Sequence, residues 1–146
     1  MRVSEAMSTP AVAVPPRASV AEAAQQMAAQ GVGSVLVVED GVLRGIVTDR
    51  DLAVRGLGAD LEPGSLVEAV MSENVITVGA EDDVHVAYRL FRRFGVRRLP
   101  ILDKHRVVGV LTVDVFQRLA DLLGPIAWSV LEEPPGPPSA DASRGV

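Results

Sequence analysis

Apolar positions along the chain follow two patterns: short continuous runs and a helical spacing. Continuous runs of this length are typical of strands covered on both faces. The clearest such run is 34–38, and further strands are predicted at 43–47, 99–102 and 107–111, with shorter ones at 11–14 and 75–78. Spacing of i, i+3, i+4, i+7 is typical of one helix face. It is followed by Val20, Ala23, Ala24 and Met27, and again from Val84 through Ala87, Tyr88, Phe91 and Phe94. The chain is therefore predicted to alternate strands and amphipathic helices.

Polar and glycine residues predict where the helices begin and end. Ser19 is placed to cap the first long helix, and Gly31 is placed to end it. Thr48 is expected to start another helix that ends near Gly56. A last helix is expected from Asp114 to Leu123, before Gly124 and Pro125.

The same pattern occurs twice, displaced by 64 positions without a gap. Val3 aligns with Val67 and Gly45 with Gly109, and 109 − 45 = 64. Each copy reads strand–helix–strand–strand–helix, which predicts a mixed α/β (α+β) fold. We expect two β-α-β-β-α repeats packed around a pseudo-twofold axis, because two copies are too few for a long solenoid. The predicted boundaries are repeat 1 at 1–57, a linker at 58–65, repeat 2 at 66–123 and an extension at 124–146.

Composition narrows the functional classes. The chain has 146 residues, of which 48% are hydrophobic and only 3% aromatic. It carries a net charge of −5, which disfavours nucleic acid as a partner. It contains no cysteine, which excludes disulfides and cysteine nucleophiles. Neither a signal peptide nor a membrane span is recognisable. The expectation is a soluble cytoplasmic protein.

The extension differs from the repeats in composition. Its stretch from Glu132 onward is rich in proline and poor in apolar residues, so we expect disorder from about that point. The preceding stretch 126–131 contains the single tryptophan, Trp128. It is interpreted as a segment that docks on the domain or on a partner chain.

Two short glycine motifs recur in each copy. Copy one has Gly31-Val32-Gly33-Ser34-Val35-Leu36, and its second motif runs from Gly45 through Thr48 to Asp51. Copy two has Gly95-Val96-Arg97-Arg98-Leu99-Pro100, and its second motif has Gly109 and Thr112. Val115 then stands at the place of the carboxylate, with Asp114 one position early. Four such motifs in register with the repeat resemble a tandem pair of cystathionine-β-synthase-type (CBS) domains, a Bateman module, over about residues 1–123.

That resemblance implies a regulatory module that binds an adenosine-containing ligand in the cleft between repeats. AMP, ADP, ATP and S-adenosylmethionine are the expected ligand types, and no cofactor is required. The resemblance also implies that the aspartate accepts from the ribose hydroxyls and that the threonine lies near a phosphate, consistent with their donor and acceptor chemistry. The candidate residues are Thr48 and Asp51 with Val32, Gly33 and Ser34, and a weaker second set of Thr112, Asp114, Arg97 and Arg98.

Each candidate also has a plain structural interpretation. Thr48 and Asp51 form a good helix-capping pair. On these residues alone, a helix cap and a ligand site are about equally favoured. The cluster of arginines at 89, 92, 93, 97 and 98 is mostly expected to be a solvated surface, with nucleic-acid binding as a disfavoured alternative. His85 is expected to lie on the surface at a helix start rather than in a metal site, and no metal is predicted.

The sequence lacks a nucleophile–base pair, a phosphate-binding lysine loop and a dinucleotide fingerprint, so we expect no catalysis. The predicted function is a ligand sensor that signals to an unidentified target protein. Homodimerisation is implied by the resemblance, through the helices led by Asp51 and Asp114. A ligand-free homodimeric scaffold remains the alternative.

Overall fold

The computed structural model describes residues 1–6, 11–115 and 117–118. The chain divides into two compact units. Unit A comprises residues 11–75, and unit B comprises residues 1–10 together with 76–146. The expected extension beyond 118, including Trp128 and the stretch from Glu132, lies outside the described residues, as does the end of the helix expected at Asp114–Leu123.

Unit A contains three strands and the helices that follow them. Strand β1 is Ala13–Val14, helix α2 is Val20–Gln30, strand β2 is Ser34–Glu39, and strand β3 is Val42–Thr48. Helix α3, Asp49–Asp51, continues as a π-helical turn, Leu52–Gly56, and a 3₁₀ turn, Leu57–Ala59. A further 3₁₀ turn is Val67–Ala69. Strand β2 is central, parallel to β1 and antiparallel to β3.

Unit B repeats this arrangement. It begins with helix α1, Val3–Ala6, and continues with strand β4, Val78–Gly79, helix α4, Val84–Phe94, strand β5, Arg98–Asp103, and strand β6, Arg106–Thr112. Strand β5 is parallel to β4 and antiparallel to β6. Residues 113–115 and 117–118 are helical. The bounds of α4, β5 and β6 equal those of α2, β2 and β3 plus 64, which confirms the mixed α+β class.

The local signals in the sequence account for most element ends. The Ser19 hydroxyl accepts from the Glu22 backbone N–H (3.1 Å), and the Glu22 carboxylate accepts from the Ser19 N–H (3.4 Å). Gly31 ends α2 at a φ of 65°, a conformation that glycine adopts without cost. The π-helical turn after Thr48 ends at Gly56, as expected, and a 3₁₀ turn continues the run to Ala59. Two strands are shorter than expected: β1 covers Ala13–Val14 rather than 11–14, and β4 covers Val78–Gly79 rather than 75–78.

Each unit has its own apolar core. The unit A core includes Val14, Ala23, Met27, Val35, Val37 and Val47. The unit B core includes Ile76, Val78, Ala87, Phe91, Leu99, Ile101 and Leu111. Valine dominates the unit A core, and valine, isoleucine and leucine dominate the unit B core, as expected from a chain with few aromatic residues. The strands of each unit are therefore packed against the helix that follows the first of them.

The first residues of the first sequence copy pack in unit B, which contains most of the second copy. The first residues of the second copy likewise pack in unit A, which contains most of the first copy. We name these segments the straps: residues 1–6 in unit B and residues 65–70 in unit A. Val3 and Val67 are each 0% exposed. The Val3 N–H donates to the Asp82 carbonyl (2.8 Å), and the Val67 N–H donates to the Ala18 carbonyl (2.9 Å). The repeat boundaries at 57 and 66 stay predictions from the sequence, because the compact units group the straps differently.

The chain after the unit A strap continues along β3. Ile46 and Ser72 exchange two backbone hydrogen bonds of 3.0 and 2.9 Å. Gly45 permits this approach, since a Cβ at this position would lie 2.7 Å from the Ser72 carbonyl oxygen and 2.9 Å from the Met71 sulfur. Glycine at position 45 is therefore a packing requirement of unit A.

Candidate functional site

The first candidate set lies where β2 begins and β3 ends. The antiparallel register places Ser34 opposite Thr48, and the Asp49 N–H donates to the Gly33 carbonyl (2.9 Å) just beyond the strands. A Cβ on Gly33 would lie 3.2 Å from an Asp49 carboxylate oxygen. The backbone at Gly33 is thus closely approached by the start of α3, and a Cβ there would require the Asp49 carboxylate to shift slightly.

Thr48 and Asp51 form a reciprocal cap at the start of α3. The Thr48 hydroxyl accepts from the Asp51 N–H (3.1 Å), and one Asp51 carboxylate oxygen accepts from the Thr48 N–H (2.9 Å). The Asp51 side chain is 16% exposed. The capping interpretation is confirmed. A carboxylate has about four acceptor positions, so the cap leaves Asp51 with capacity for further donors.

Arg55 extends this arrangement and is not among the site residues predicted from the sequence. Its Nε lies 3.9 Å from the second Asp51 oxygen, one helical turn away. Its guanidinium also donates to the carbonyls of Val70 and Met71, both at 3.4 Å. Arg55 therefore links Asp51 to the chain that follows the unit A strap. The i, i+4 acid–base spacing was the available sequence signal.

Val32 completes the first set. Its N–H donates to the Met27 carbonyl (3.0 Å), which holds the short connection between α2 and β2 against the end of the helix. Val32, Gly33 and Ser34 are all half-buried. The structure thus brings the five first-set residues together at one edge of the unit A sheet.

The second set occupies the equivalent edge of unit B, with different chemistry. Arg98 lies opposite Thr112, and the Val113 N–H donates to the Arg97 carbonyl (3.0 Å). The Arg97 guanidinium lies 3.7 Å from an Asp114 oxygen, with side chains 72% and 57% exposed. Such an exposed ion pair contributes little to stability.

Val115 shows why the second edge lacks the capping carboxylate. It aligns with Asp51 but is 8% exposed and packs in the unit B core. Asp114 is exposed and pairs with arginine instead of closing a cap. The two edges therefore share backbone geometry, while the first has a half-buried carboxylate and the second has exposed arginines.

Each unit also carries a groove beside its helices. The unit A groove, about 330 Å³, lies between α2 and the helical run after β3 and is lined mainly by alanine, leucine and valine. The unit B groove, about 300 Å³, lies between α4 and residues 113–117 and includes Tyr88, Arg92 and Arg97 in its lining. The grooves occupy equivalent places but differ in charge and aromatic content.

The expectation that His85 lies on the surface was wrong. His85 is 8% exposed, and its Nδ1 contacts an Asp83 carboxylate oxygen. Asp83 also caps α4 by accepting from the His85 N–H (3.0 Å). Burial alone raises the pKa of Asp83, but the His85 hydrogen bonds, the His85 charge and the N-terminal charge outweigh it and hold the pKa below 3.8. His85 lies near the start of α4 on the side that faces the core, which the sequence pattern did not distinguish.

A metal site and a membrane-spanning helix are both unsupported by the described part of the chain. Among residues 1–6, 11–115 and 117–118, no group of three or more histidine, cysteine or acidic side chains is placed to hold a metal ion. Within the same ranges, no helix is long and apolar enough to cross a membrane.

Comparison with known proteins agrees with the repeat. The CBS domain family model matches residues 3–57 and 67–116. The CBS domain-containing protein YhcV of Bacillus subtilis is 34% identical over 111 residues, which cover 76% of this chain and 79% of the relative.

Solved structures with bound ligands are also similar. The CBS domain protein PAE2072 from Pyrobaculum aerophilum, complexed with AMP, matches with a TM-score of 0.74 and 25% identity over 90% of this chain and 98% of its own. The CBS domain pair of protein MJ0100, in complex with 5′-methylthioadenosine and S-adenosyl-L-methionine, matches with a TM-score of 0.73 and 26% identity over 84% and 98%. The chain therefore belongs to the CBS domain family and carries two copies of that domain.

Proposed function

We propose that this protein is a non-catalytic regulatory module that binds an adenosine-containing ligand through Thr48, Asp51 and the neighbouring Val32, Gly33 and Ser34. The observation that carries the proposal is the half-buried Asp51 carboxylate, fixed by Thr48 beside the closely packed Gly33. This arrangement holds an acceptor in one orientation before any ligand arrives, which lowers the entropic cost of binding.

The chemistry of the residues fits an adenosine group. A carboxylate accepts hydrogen bonds only, and it can accept from both ribose hydroxyls at once. The adjacent backbone at Val32 and Gly33 offers a half-buried apolar surface against which a planar base can lie. AMP, 5′-methylthioadenosine and S-adenosylmethionine share adenine and ribose, so the two ligand-bound relatives support this common part of the ligand.

The test is thermal unfolding of the full chain with AMP, ADP, ATP, S-adenosylmethionine and NAD, each measured separately. A ligand present at 100 times its dissociation constant adds about 2.7 kcal/mol to the free energy of unfolding. For a chain of this length, the melting temperature should rise by roughly 5–10 °C. Asp51→Ala should abolish that rise.

Loss of the cap is separated from loss of the ligand by a matched variant. Glu22→Ala removes the equivalent carboxylate from the Ser19 capping box in the same unit. Both variants should lower the ligand-free stability by about 1 kcal/mol, but only Asp51→Ala should lose the response to ligand. If both respond as wild type does, Asp51 is a cap and no more.

A second proposal concerns self-association through the helices led by Asp51 and Asp114. It is supported by exposed apolar side chains of unit A: Val54 is 59% exposed, Leu57 79% and Leu66 44%. Exposed apolar surface of this kind marks interaction sites. In sedimentation velocity, the wild type should sediment as a dimer and Leu57→Glu as a monomer, with Arg44→Glu as a surface control.

The ligand-free scaffold and the sensor differ in a measurable way. A scaffold sediments as a dimer but gains no stability from any adenosyl compound. A sensor gains stability and, by the same linkage, binds its target protein with an affinity that changes with ligand. Nucleic-acid binding through Arg97 and Arg98 predicts salt-sensitive retention on DNA, and we expect none.

A further inference from the structure

The groove of unit B has a chemical character that the fold does not require. Its apolar wall is formed by Tyr88, Phe91, Val96 and Val113, and Arg92 and Arg97 lie at its rim. The Arg92 guanidinium lies 5.7 Å from the centre of the Tyr88 ring. At the equivalent positions of unit A, 64 residues earlier, the chain has alanine for Tyr88, alanine for Arg92 and glycine for Arg97.

The charges around this groove are mainly positive. Helix α4 carries Arg89, Arg92 and Arg93 and no acidic residue. Arg97 is 72% exposed, and its partner Asp114 is 57% exposed at 3.7 Å, so the pair is largely solvated. An apolar, aromatic groove with a cationic rim fits a peptide that carries an aromatic side chain followed by acidic residues.

The chain itself contains such a segment. Residues 126–133 read Ile-Ala-Trp-Ser-Val-Leu-Glu-Glu, with one tryptophan, three large aliphatic residues and two adjacent carboxylates. We propose that this segment of the same chain docks in the unit B groove, with Trp128 against the apolar wall and Glu132 and Glu133 near Arg92 and Arg97.

The connection is long enough and begins in the right place. Gln117 lines the groove, and the described residues end at Arg118. Eight residue steps separate Arg118 from Ile126; five of them belong to the helix predicted as far as Leu123, so the connection spans at most roughly 18 Å. Gly124 and Pro125 stand immediately before the segment and favour a turn there. A tethered segment also binds at a high effective concentration.

Trp128 gives a direct measurement, because it is the single tryptophan of the chain. In the full-length wild type, its fluorescence should be blue-shifted and poorly quenched by acrylamide. Arg92→Glu with Arg97→Glu should shift the emission to that of a solvent-exposed indole. Reversing the partner charges in the same protein, Glu132→Arg with Glu133→Arg, should restore the wild-type spectrum.

Arg44→Glu is the control, since Arg44 is an exposed arginine of unit A that pairs with Glu39. It should leave the emission unchanged. An exposed Trp128 in the wild type would overturn the proposal. A buried Trp128 whose emission does not change in the Arg92→Glu and Arg97→Glu variant would also overturn it. Emission that depends on protein concentration would overturn it as well, because it would mean that the segment docks on a second copy.

Discussion

Truncation of Val3 should destabilise the unit that contains residues 76–115, although Val3 lies at the start of the first sequence copy. Val3 is 0% exposed and belongs to the unit B core. Val3→Ala removes two methyl groups, each worth about 0.8 kcal/mol when buried. A cavity cost of about 24 cal/mol per Å³ of unfilled space adds to this. We therefore expect a loss of about 2–3 kcal/mol.

Native-state hydrogen exchange measures where that loss falls. A loss of about 2 kcal/mol raises the population of the open state roughly 30-fold, so amides of the unit B core should exchange about that much faster in Val3→Ala. The amides to follow are those of Leu99, Ile101 and Leu111. In unit A, the amides of Val35, Val37 and Val47 should keep their wild-type rates.

Val67→Ala is the mirror variant, because Val67 is the equivalent residue of the unit A strap. It should accelerate exchange at Val35, Val37 and Val47 and spare unit B. The reasoning is refuted if Val3→Ala accelerates unit A selectively. It is also refuted if both variants accelerate both cores equally, because the two straps would then not stabilise separate units.

Three further predictions test other parts of the account. Gly45→Ala should lower the free energy of unfolding by about 1–3 kcal/mol, because the added Cβ would collide with the Ser72 backbone. Gly56→Ala is the control and should leave the free energy of unfolding unchanged, because no atom lies within 4 Å of the added Cβ. Urea unfolding measures both variants. Asp83→Ala should lower the free energy of unfolding at neutral pH, because the lowered pKa means that the ionised carboxylate stabilises the folded state through His85. The loss should become progressively smaller as the pH falls below 3.8. An equal loss at about pH 3 would contradict this. Arg97→Ala should leave AMP binding unchanged in calorimetry, because the proposed site consists of unit A residues; a loss comparable to that of Asp51→Ala would contradict that assignment.

Much of the fold was predictable because the local signals and the repeat agree. The Ser19 cap, the Gly31 stop and the strand runs each appear twice at the same offset, so each copy supports the reading of the other. The 64-residue displacement holds to the residue for α4, β5 and β6.

The exchange of the straps was not predictable from the same repeat. Val3 and Val67 are the same residue in equivalent positions, and either could fill either core. Periodicity reports which residues are equivalent, but it contains no information about which unit each strap joins. Only long-range contacts, such as Val3 with Asp82, decide between the two arrangements.

The position of the candidate site was predictable from the sequence, but the hydrogen bonds made by its side chains were not. The sequence left Thr48 and Asp51 with two roles, and the structure shows the cap. It also shows Arg55 at the second carboxylate oxygen, which orients Asp51 further. His85 was misjudged because an imidazole beside two aspartates reads as polar surface, while its burial depends on packing that sequence spacing does not reveal.

The central claim is that Thr48, Asp51 and Gly33 hold an adenosine group, and an amide NMR titration with AMP and with S-adenosylmethionine tests it most directly. The account predicts saturable shifts of the Gly33, Ser34, Thr48 and Asp51 signals with at least one of these compounds, retained in Glu22→Ala and lost in Asp51→Ala. Unmoved signals at these four amides with both compounds, or equal binding by Asp51→Ala, would contradict it.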